Sequence, residues 1–298
     1  MDIKNVTVAG SGVLGYQIAF QAAFKGFKVI IYDINDEVIE RAKAKFNNLR
    51  ESYKKDINAT DEQLDQTYSN LSYTSDLAAS VADADLLVEA VPENVNIKLE
   101  FYEKLSKVAP EKTIFVSNSS TLVPSTFAEA TGRPTRFLNL HFANLIWIHN
   151  TAEVMGHPGT DPKIYDEIVD FAKALGMVII PLQKEQPGYI LNTLLVPLFT
   201  SAANLVSKNI TDHESIDKTW MVGTGAPLGP IAILDIIGIK TAYNIIKMNG
   251  EVSKNQELLD LADYLQENFI DKGKLGTSTG EGFYKYPNPA YQEKDFLK

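Results

Sequence analysis

The chain has 298 residues, enough for about two domains, and its 45% hydrophobic and 22% charged residues are those of an ordinary globular protein. A net charge of −10 lacks the basic balance that a nucleic-acid surface needs. With no cysteine, disulfides, thiolate catalysis and cysteine-based metal sites are excluded together.

Residues 1–4 lead straight into the first predicted strand, which leaves no signal peptide and makes a cytoplasmic address the default expectation. In that strand Val6 and Val8 alternate with Asn5 and Thr7, ahead of three glycines, Gly10, Gly12 and Gly15, spaced G-x-G-x-x-G. Apolar residues then recur at helical intervals from Leu14 to Phe24, Gly26 stops the helix, and a β-rich run from Lys28 to Tyr32 ends on Asp33. In such a unit the first glycine permits the sharp turn, the second lets backbone approach a pyrophosphate, and the third lets the helix lie close on the strands. The helix offers its unpaired N–H groups and positive dipole end to the phosphates. Asp33, eighteen residues after Gly15, stands where a carboxylate accepts hydrogen bonds from a ribose, and Ile34 and Asn35 bring no arginine for a 2′-phosphate. NAD rather than NADP is the expected cofactor.

Residues 34 to 70 read as a projecting helical pair, with Arg50, Lys54 and Lys55 on it. Strands follow at Asp85 to Val91, Thr113 to Ser117 and Phe137 to Leu140, with helices at Val95 to Val108 and Val123 to Ala130 between them. Thr151 to Met155 alternates as an extended segment, Asp161-Pro162 opens a helix that Gly176 ends, and Met177 to Pro181 is the last strand. This alternation predicts an α/β fold with a mostly parallel, doubly wound Rossmann-type sheet. Gln183 to Pro187 is a polar connector, and only helical periods follow. The apolar run Tyr189 to Val206, with Asn192, Pro197 and Asn204, falls short of a membrane span and reads as a buried helix. Ser253 and Gln256 have capping-box spacing ahead of a last helix. The expected division is 1–184, nucleotide-binding, and 185–298, all-α.

Hydride transfer between a carbonyl and an alcohol needs a group that moves the hydroxyl proton near neutral pH, and histidine suits that task. Of the four histidines, His141 follows a predicted strand, at the carboxyl end where open α/β sheets place ligands. Glu153 is twelve residues on, in an apolar extended segment. If the chain folds back between them, Glu153 holds one imidazole nitrogen and fixes its tautomer; otherwise His141 ends a strand and Glu153 faces solvent. His149 and Glu153 lack a helix to make a zinc site, so no metal is expected; His157 reads as a loop residue and His213 as a helix cap. The SNSST run at 117–121 either caps the next helix or meets substrate, and Asn192 reads as a buried amide that needs partners, at ~1–3 kcal/mol if it has none.

Taken in order, GSGVLG at 10–15, Asp33, VEAVPEN at 88–94, Lys98, SNSS at 117–120, HF at 141–142, AEV at 152–154, PGYILN at 187–192, GAPLGPIAILD at 225–235 and TGEGFY at 279–284 resemble the L-3-hydroxyacyl-CoA dehydrogenases, especially those acting on 3-hydroxybutyryl-CoA. The resemblance implies that His141 is the general acid/base, Glu153 its orienting partner, and Ser120 and Asn192 the donors to the substrate oxygen. It also implies that Val13, Leu14, Glu93, Lys98 and Asn118 join the glycines and Asp33 along the cofactor, and that the helical domain pairs subunits into a homodimer. An acyl-CoA or hydroxy-acid substrate follows, with no nucleic-acid or membrane partner. Two departures bear on the acyl partner. HFANL at 141–145 and Trp147 stand where the family writes H-F-F-N-P, a change expected to reshape the acyl pocket. Thr277 and Ser278 replace basic residues. A dehydrogenase of a free 3-hydroxy acid, of L-gulonate or carnitine type, shares the same motifs, and a non-catalytic NAD-binding protein is the remaining alternative.

Overall fold

A computed structural model describes residues 2–298. The first part of the chain runs β1 (Asn5–Ala9), α1 (Gly15–Phe24), β2 (Lys28–Tyr32), α2 (Asp36–Ile57), α3 (Asp61–Ser69), β3 (Leu71–Thr74), α4 (Leu77–Val81), β4 (Leu86–Glu89), α5 (Val95–Val108), β5 (Ile114–Ser117), β6 (Phe137–Phe142), β7 (Thr151–Met155), α6 (Pro162–Ala174) and β8 (Val178–Pro181). The strands form one eight-stranded sheet in the order β3-β2-β1-β4-β5-β6-β7-β8. Every neighbouring pair is parallel except β6 and β7. The strand order reverses beside β1, where such sheets bind ligands at the carboxyl ends.

Period-2 alternation sends side chains to two cores, one on each face of the sheet. Val6, Val8, Leu86, Val88, Leu138 and Leu140 meet α1, α2 and α6 in one core. Ala9, Leu87, Phe115 and Phe137 meet Phe101, Tyr102 and Leu105 of α5 in the other. Asn139 and His141 share the second face with Phe137, so a polar strip continues that core toward the strand ends.

Several expectations are corrected. The helical pair α2–α3 does not project: Phe46 and Tyr53 of α2 pack on Phe20 of α1, with centroids 6.1 and 4.8 Å apart. β3, a four-residue edge strand, was absent from the sequence reading. The helix expected at Val123 to Ala130 is two separate 3₁₀ turns, Pro124–Thr126 and Glu129–Thr131.

Contacts divide the chain after Ile190, and the second unit runs from Leu191 to Lys298. Its helices are α7 (Tyr189–Ser207, whose first two residues belong to the first unit), α8 (His213–Thr224), α9 (Pro230–Ile237), α10 (Ile239–Ser253) and α11 (Gln256–Leu265). Phe199, Leu234, Ile239, Ile246, Leu261 and Leu265 build its core. By length and composition alone α7 is apolar enough to cross a membrane, and only 17% of its most apolar stretch is buried, so it gives Phe199 and Ala203 to the core but is less buried than expected. Asn255, not Ser253, caps α11, because Ser253 closes α10 and bonds back to Asn249. Asp212 rather than His213 caps α8, and the His213 ring meets Tyr284 edge-on.

Two buried carboxylates explain the motifs near the end of the chain. Asp217 accepts the N–H groups of Ile231 and Ala232 at the start of α9, each at 2.8 Å. Asp235 accepts those of Phe283 and Tyr284 at 2.9 and 2.8 Å. A Cβ on Gly229 would lie 2.2 Å from Asp217, and one on Gly282 would lie 2.3 Å from Asp235, so glycine is required where the backbone closes on each acid.

Candidate active site

The three glycines of the first turn have different reasons to be glycine. Gly10 has φ +98°, and a Cβ there would lie 2.4 Å from the Ala90 carbonyl oxygen. A Cβ on Gly15 would lie 1.8 Å from the Gly10 oxygen. Gly12 meets nothing within 4 Å, so the protein itself does not need that space. Leu14 at the head of α1 supplies no side-chain cap, which leaves the helix N-terminus with its donors. Val13 is 62% exposed beside it, and its carbonyl accepts from Gln17. Asp33 accepts the N–H and the hydroxyl of Ser11 at Oδ2 (2.7 and 2.5 Å) and the Ile34 N–H at Oδ1 (2.8 Å). A carboxylate offers about four lone-pair sites, so acceptor capacity remains for a ribose hydroxyl. An uncovered glycine, an uncapped helix and a held acid together fit a dinucleotide.

The hairpin that would join His141 to Glu153 is present. In the antiparallel β6–β7 pair His141 lies directly opposite Glu153, so both side chains emerge on one face. The imidazole Nδ1 is 2.9 Å from Glu153 Oε2, and both residues are buried. The Ile190 N–H donates to the other carboxylate oxygen, Oε1, at 2.9 Å. A carboxylate at Nδ1 assigns the proton to that nitrogen, and Nε2 makes no hydrogen bond among the described residues.

Because β5 and β6 are parallel with Ser117 opposite Asn139, the run after β5 reaches the level of His141. Glu93 organises that run. Its Oε1 accepts the Ser119 hydroxyl at 2.6 Å, the N–H groups of Ser120 and Thr121 at 3.0 and 2.9 Å, and the Thr121 hydroxyl at 2.8 Å. Burial alone would raise the Glu93 carboxyl, but the Ser119 and Thr121 donors and the Lys98 ammonium outweigh it and hold it below the usual range. Ser119 Oγ also accepts the Leu122 N–H, so Ser119 makes the turn and the Ser120 hydroxyl is left without a hydrogen bond among the described residues. Asn118 Oδ1 accepts the Phe142 N–H at 3.0 Å and secures the end of β6.

Residues 5–186 match the NAD-binding domain of 3-hydroxyacyl-CoA dehydrogenase, and residues 188–286 match its C-terminal domain. The chain belongs to the 3-hydroxyacyl-CoA dehydrogenase family. It is an NAD-dependent enzyme of that family, and NAD is the cofactor its first domain is built for. It is 37% identical to the mitochondrial hydroxyacyl-coenzyme A dehydrogenase of Homo sapiens over 95% of this chain and 91% of that one. Among solved structures it is similar to a diketoreductase that acts on dicarbonyl compounds, at 53% identity over 96% of this chain and 100% of the other, with a TM-score of 0.90. It is also similar to the (S)-3-hydroxybutyryl-CoA dehydrogenase of Ralstonia eutropha, at 25% identity over 96% and 100%, with a TM-score of 0.83.

Some residues that the dehydrogenase resemblance singles out also have partners within the fold. Lys98 is 1% exposed, and its ammonium meets Glu89 at 2.6 Å, Glu93 at 3.3 Å and the Val91 carbonyl at 3.4 Å. Tyr102 and Ser117 donate to the remaining Glu89 oxygen at 3.0 and 2.6 Å. Removing one member of such a buried pair typically costs about 3–5 kcal/mol, so Lys98 is tied to the end of β4 and to the turn that follows it. Asn192 is half-buried in the first turn of α7, not the fully buried amide expected. Trp147 packs on Tyr53 at 5.2 Å and donates to Asp56 of α2 at 2.9 Å, so its indole is committed to that helix.

Three contributors escaped the sequence reading. Gln17 of α1 donates to Asn144 at 2.7 Å and accepts the Leu145 N–H at 2.8 Å, anchoring the HFANL segment, where Leu145 has φ +60°. The signal was a glutamine among apolar neighbours on a buried helix. Lys45 of α2 reaches the Ser11 carbonyl at 3.3 Å, a contact no local pattern announces. Tyr189, quoted only as part of a motif, stacks on His141 with centroids 4.5 Å apart.

Proposed function

We propose that this enzyme interconverts a short 3-keto compound and its L-3-hydroxy counterpart, with His141 as general acid/base and Glu153 as its orienting carboxylate. The observation that carries the reading is the buried 2.9 Å contact at Nδ1, which leaves Nε2 free to exchange a proton at the carboxyl end of β6. When bound, NADH supplies the hydride for reduction, and NAD takes it up in oxidation. In the reducing direction Nε2–H of the imidazolium gives its proton to the carbonyl oxygen; in oxidation neutral Nε2 takes the hydroxyl proton. In both directions Glu153 faces Nδ1–H with a carboxylate and so keeps Nε2 as the nitrogen that exchanges the proton. For Ser120 and Asn192 the role of donor to the substrate oxygen, where negative charge develops, rests on the family resemblance. His141→Ala tests the reading: turnover should fall by roughly 10²–10⁴ with NADH affinity kept, and an undiminished rate would remove His141 from the mechanism.

The first substrate class is a short 3-hydroxyacyl-CoA, such as 3-hydroxybutyryl-CoA. A second reading, a dicarbonyl compound without CoA, is supported by the 53% identity to the diketoreductase. It is supported also by the cations of α2, which already have carboxylate partners: Arg50 pairs with Asp61 and Asp65 at 2.5 and 2.7 Å, and Lys54 with Asp61 at 2.6 Å. NADH oxidation with acetoacetyl-CoA, run beside a β-dicarbonyl ester, decides between them by kcat/KM. Better turnover of the ester makes the carrier dispensable.

A homodimer is proposed on the apolar side chains that unit 2 leaves uncovered, among them Leu194 (66% exposed) on α7, Val222 on α8, and Met248 and Val252 on α10. Analytical ultracentrifugation tests it, and a single monomeric species at micromolar concentration would refute it.

A further inference from the structure

Tyr189 holds a backbone conformation that its side chain does not favour. Its φ is +53°, directly after Gly188 at +80°. A bulky residue in the left-handed region is an outlier that persists only where its surroundings over-determine it.

Three sets of contacts do so here. The fully buried ring stacks on the His141 imidazole, with centroids 4.5 Å apart and planes inclined by 18°. The hydroxyl donates to the Ser119 carbonyl at 2.8 Å and accepts from Asn139 Nδ2 at 2.9 Å. The amide that follows, Ile190 N–H, is the donor to Glu153 Oε1. One corner of chain therefore grips the imidazole by its face, the carboxylate by its second oxygen, and the loop leading to Ser120 by a carbonyl.

A hydrogen bond at Nδ1 fixes one point of an imidazole and leaves the ring free to swing about it. A parallel aromatic face removes that freedom and sets the direction of Nε2. We propose that Tyr189 is the positioning residue of the acid/base pair, its ring setting the imidazole plane and its turn delivering Ile190 N–H to Glu153. The inference rests on the reading of His141 given above. It adds that the pair works only when clamped from this side, and that the hydroxyl ties β6 to the Ser120 loop.

Two substitutions separate ring from hydroxyl. Tyr189→Leu removes the stacked face and should lower kcat by about 10- to 100-fold, the scale of a misplacement near 1 Å, with NADH affinity, read by fluorescence titration, unchanged. Tyr189→Phe keeps the face and should hold kcat within about tenfold of the parent, as loss of neutral hydrogen bonds allows. In a His141→Ala background, Tyr189→Leu should leave the residual rate as it is, because the effect passes through the imidazole. Full kcat in Tyr189→Leu would overturn the proposal, and so would an equal loss in the His141→Ala background or a matching loss of NADH affinity. Should the leucine variant not fold, Tyr189→Phe carries the test, since a loss as deep as that of His141→Ala would defeat the role given to the ring. Full turnover in His141→Ala alone would instead strike the acid/base reading, whatever Tyr189 does.

Discussion

Glu153 stands directly across from His141 in the antiparallel pair of β6 and β7, and its carboxylate meets Nδ1 at 2.9 Å. The separation follows from sheet register, so both residues keep their places without a ligand. Glu153→Gln preserves shape and removes the negative charge that faces Nδ1. The expected result is a fall in kcat of roughly 10²–10⁴ with little change in NADH binding, followed by NADH absorbance and fluorescence. An unchanged kcat would mean that the carboxylate's charge is not needed for the imidazole to act.

The glycines of the first turn divide by function. Gly12→Ala adds a methyl group where nothing lies within 4 Å, so the fold should be as stable as the parent while NADH binding weakens. Gly15→Ala drives a methyl group to 1.8 Å from the Gly10 oxygen and should destabilise the first unit. Urea denaturation and NADH titration, measured on both variants, separate the effects; equal NADH affinity in Gly12→Ala and the parent would show that the open space is not the cofactor's.

Glu93 links the loop of Ser120 to pH. Its carboxyl lies below the usual range, since the donors and Lys98 outweigh burial. A depressed folded-state pKa contributes stability that is present above the unfolded value, about 4.3, and is lost as pH falls through the folded value. The difference in unfolding free energy between the parent and Glu93→Gln should therefore be constant near neutrality and shrink as pH drops below about 4. A difference that stays level down to pH ~3 would show that the carboxylate gains nothing from its donors.

Gly229→Ala tests the second unit. Its methyl group would fall 2.2 Å from Asp217, the acceptor of two N–H groups at the head of α9. Overpacking of this kind typically costs about 1–3 kcal/mol, and displacing the acid adds unsatisfied buried donors. Burial pushes the Asp217 carboxyl up, so its contribution has the opposite sign to that of Glu93: present below the unfolded value, lost as pH rises through the folded one. A Gly229→Ala protein with the parent's denaturation midpoint would contradict this account.

The parts of the fold that were legible were those with local grammar. Strand, G-x-G-x-x-G, helix, strand and acid lie within 29 consecutive residues, and each step constrains the next. The His141–Glu153 pair was readable as one of two options because twelve residues allow a hairpin, and its register settled which. What escaped depends on partners distant in sequence. Phe46 and Tyr53 turn α2 onto α1 through Phe20, and no helical period reveals which neighbour an aromatic stripe will find. Ser253 and Gln256 had the spacing of a capping box, yet the working one is Thr60 with Gln63 at α3, because spacing does not say where the preceding helix ends. Tyr189 was indistinguishable from any apolar residue of its segment until the strand beneath it was in place.

The four donors gathered on one oxygen of Glu93 mean that the turn bearing Ser120 takes its shape when the chain folds. Its loss of conformational freedom is therefore suffered once in the life of the molecule. In the role proposed for it, the Ser120 hydroxyl would not have to be recruited afresh at every catalytic cycle, and the affinity gained from each incoming substrate would be left for the reaction itself.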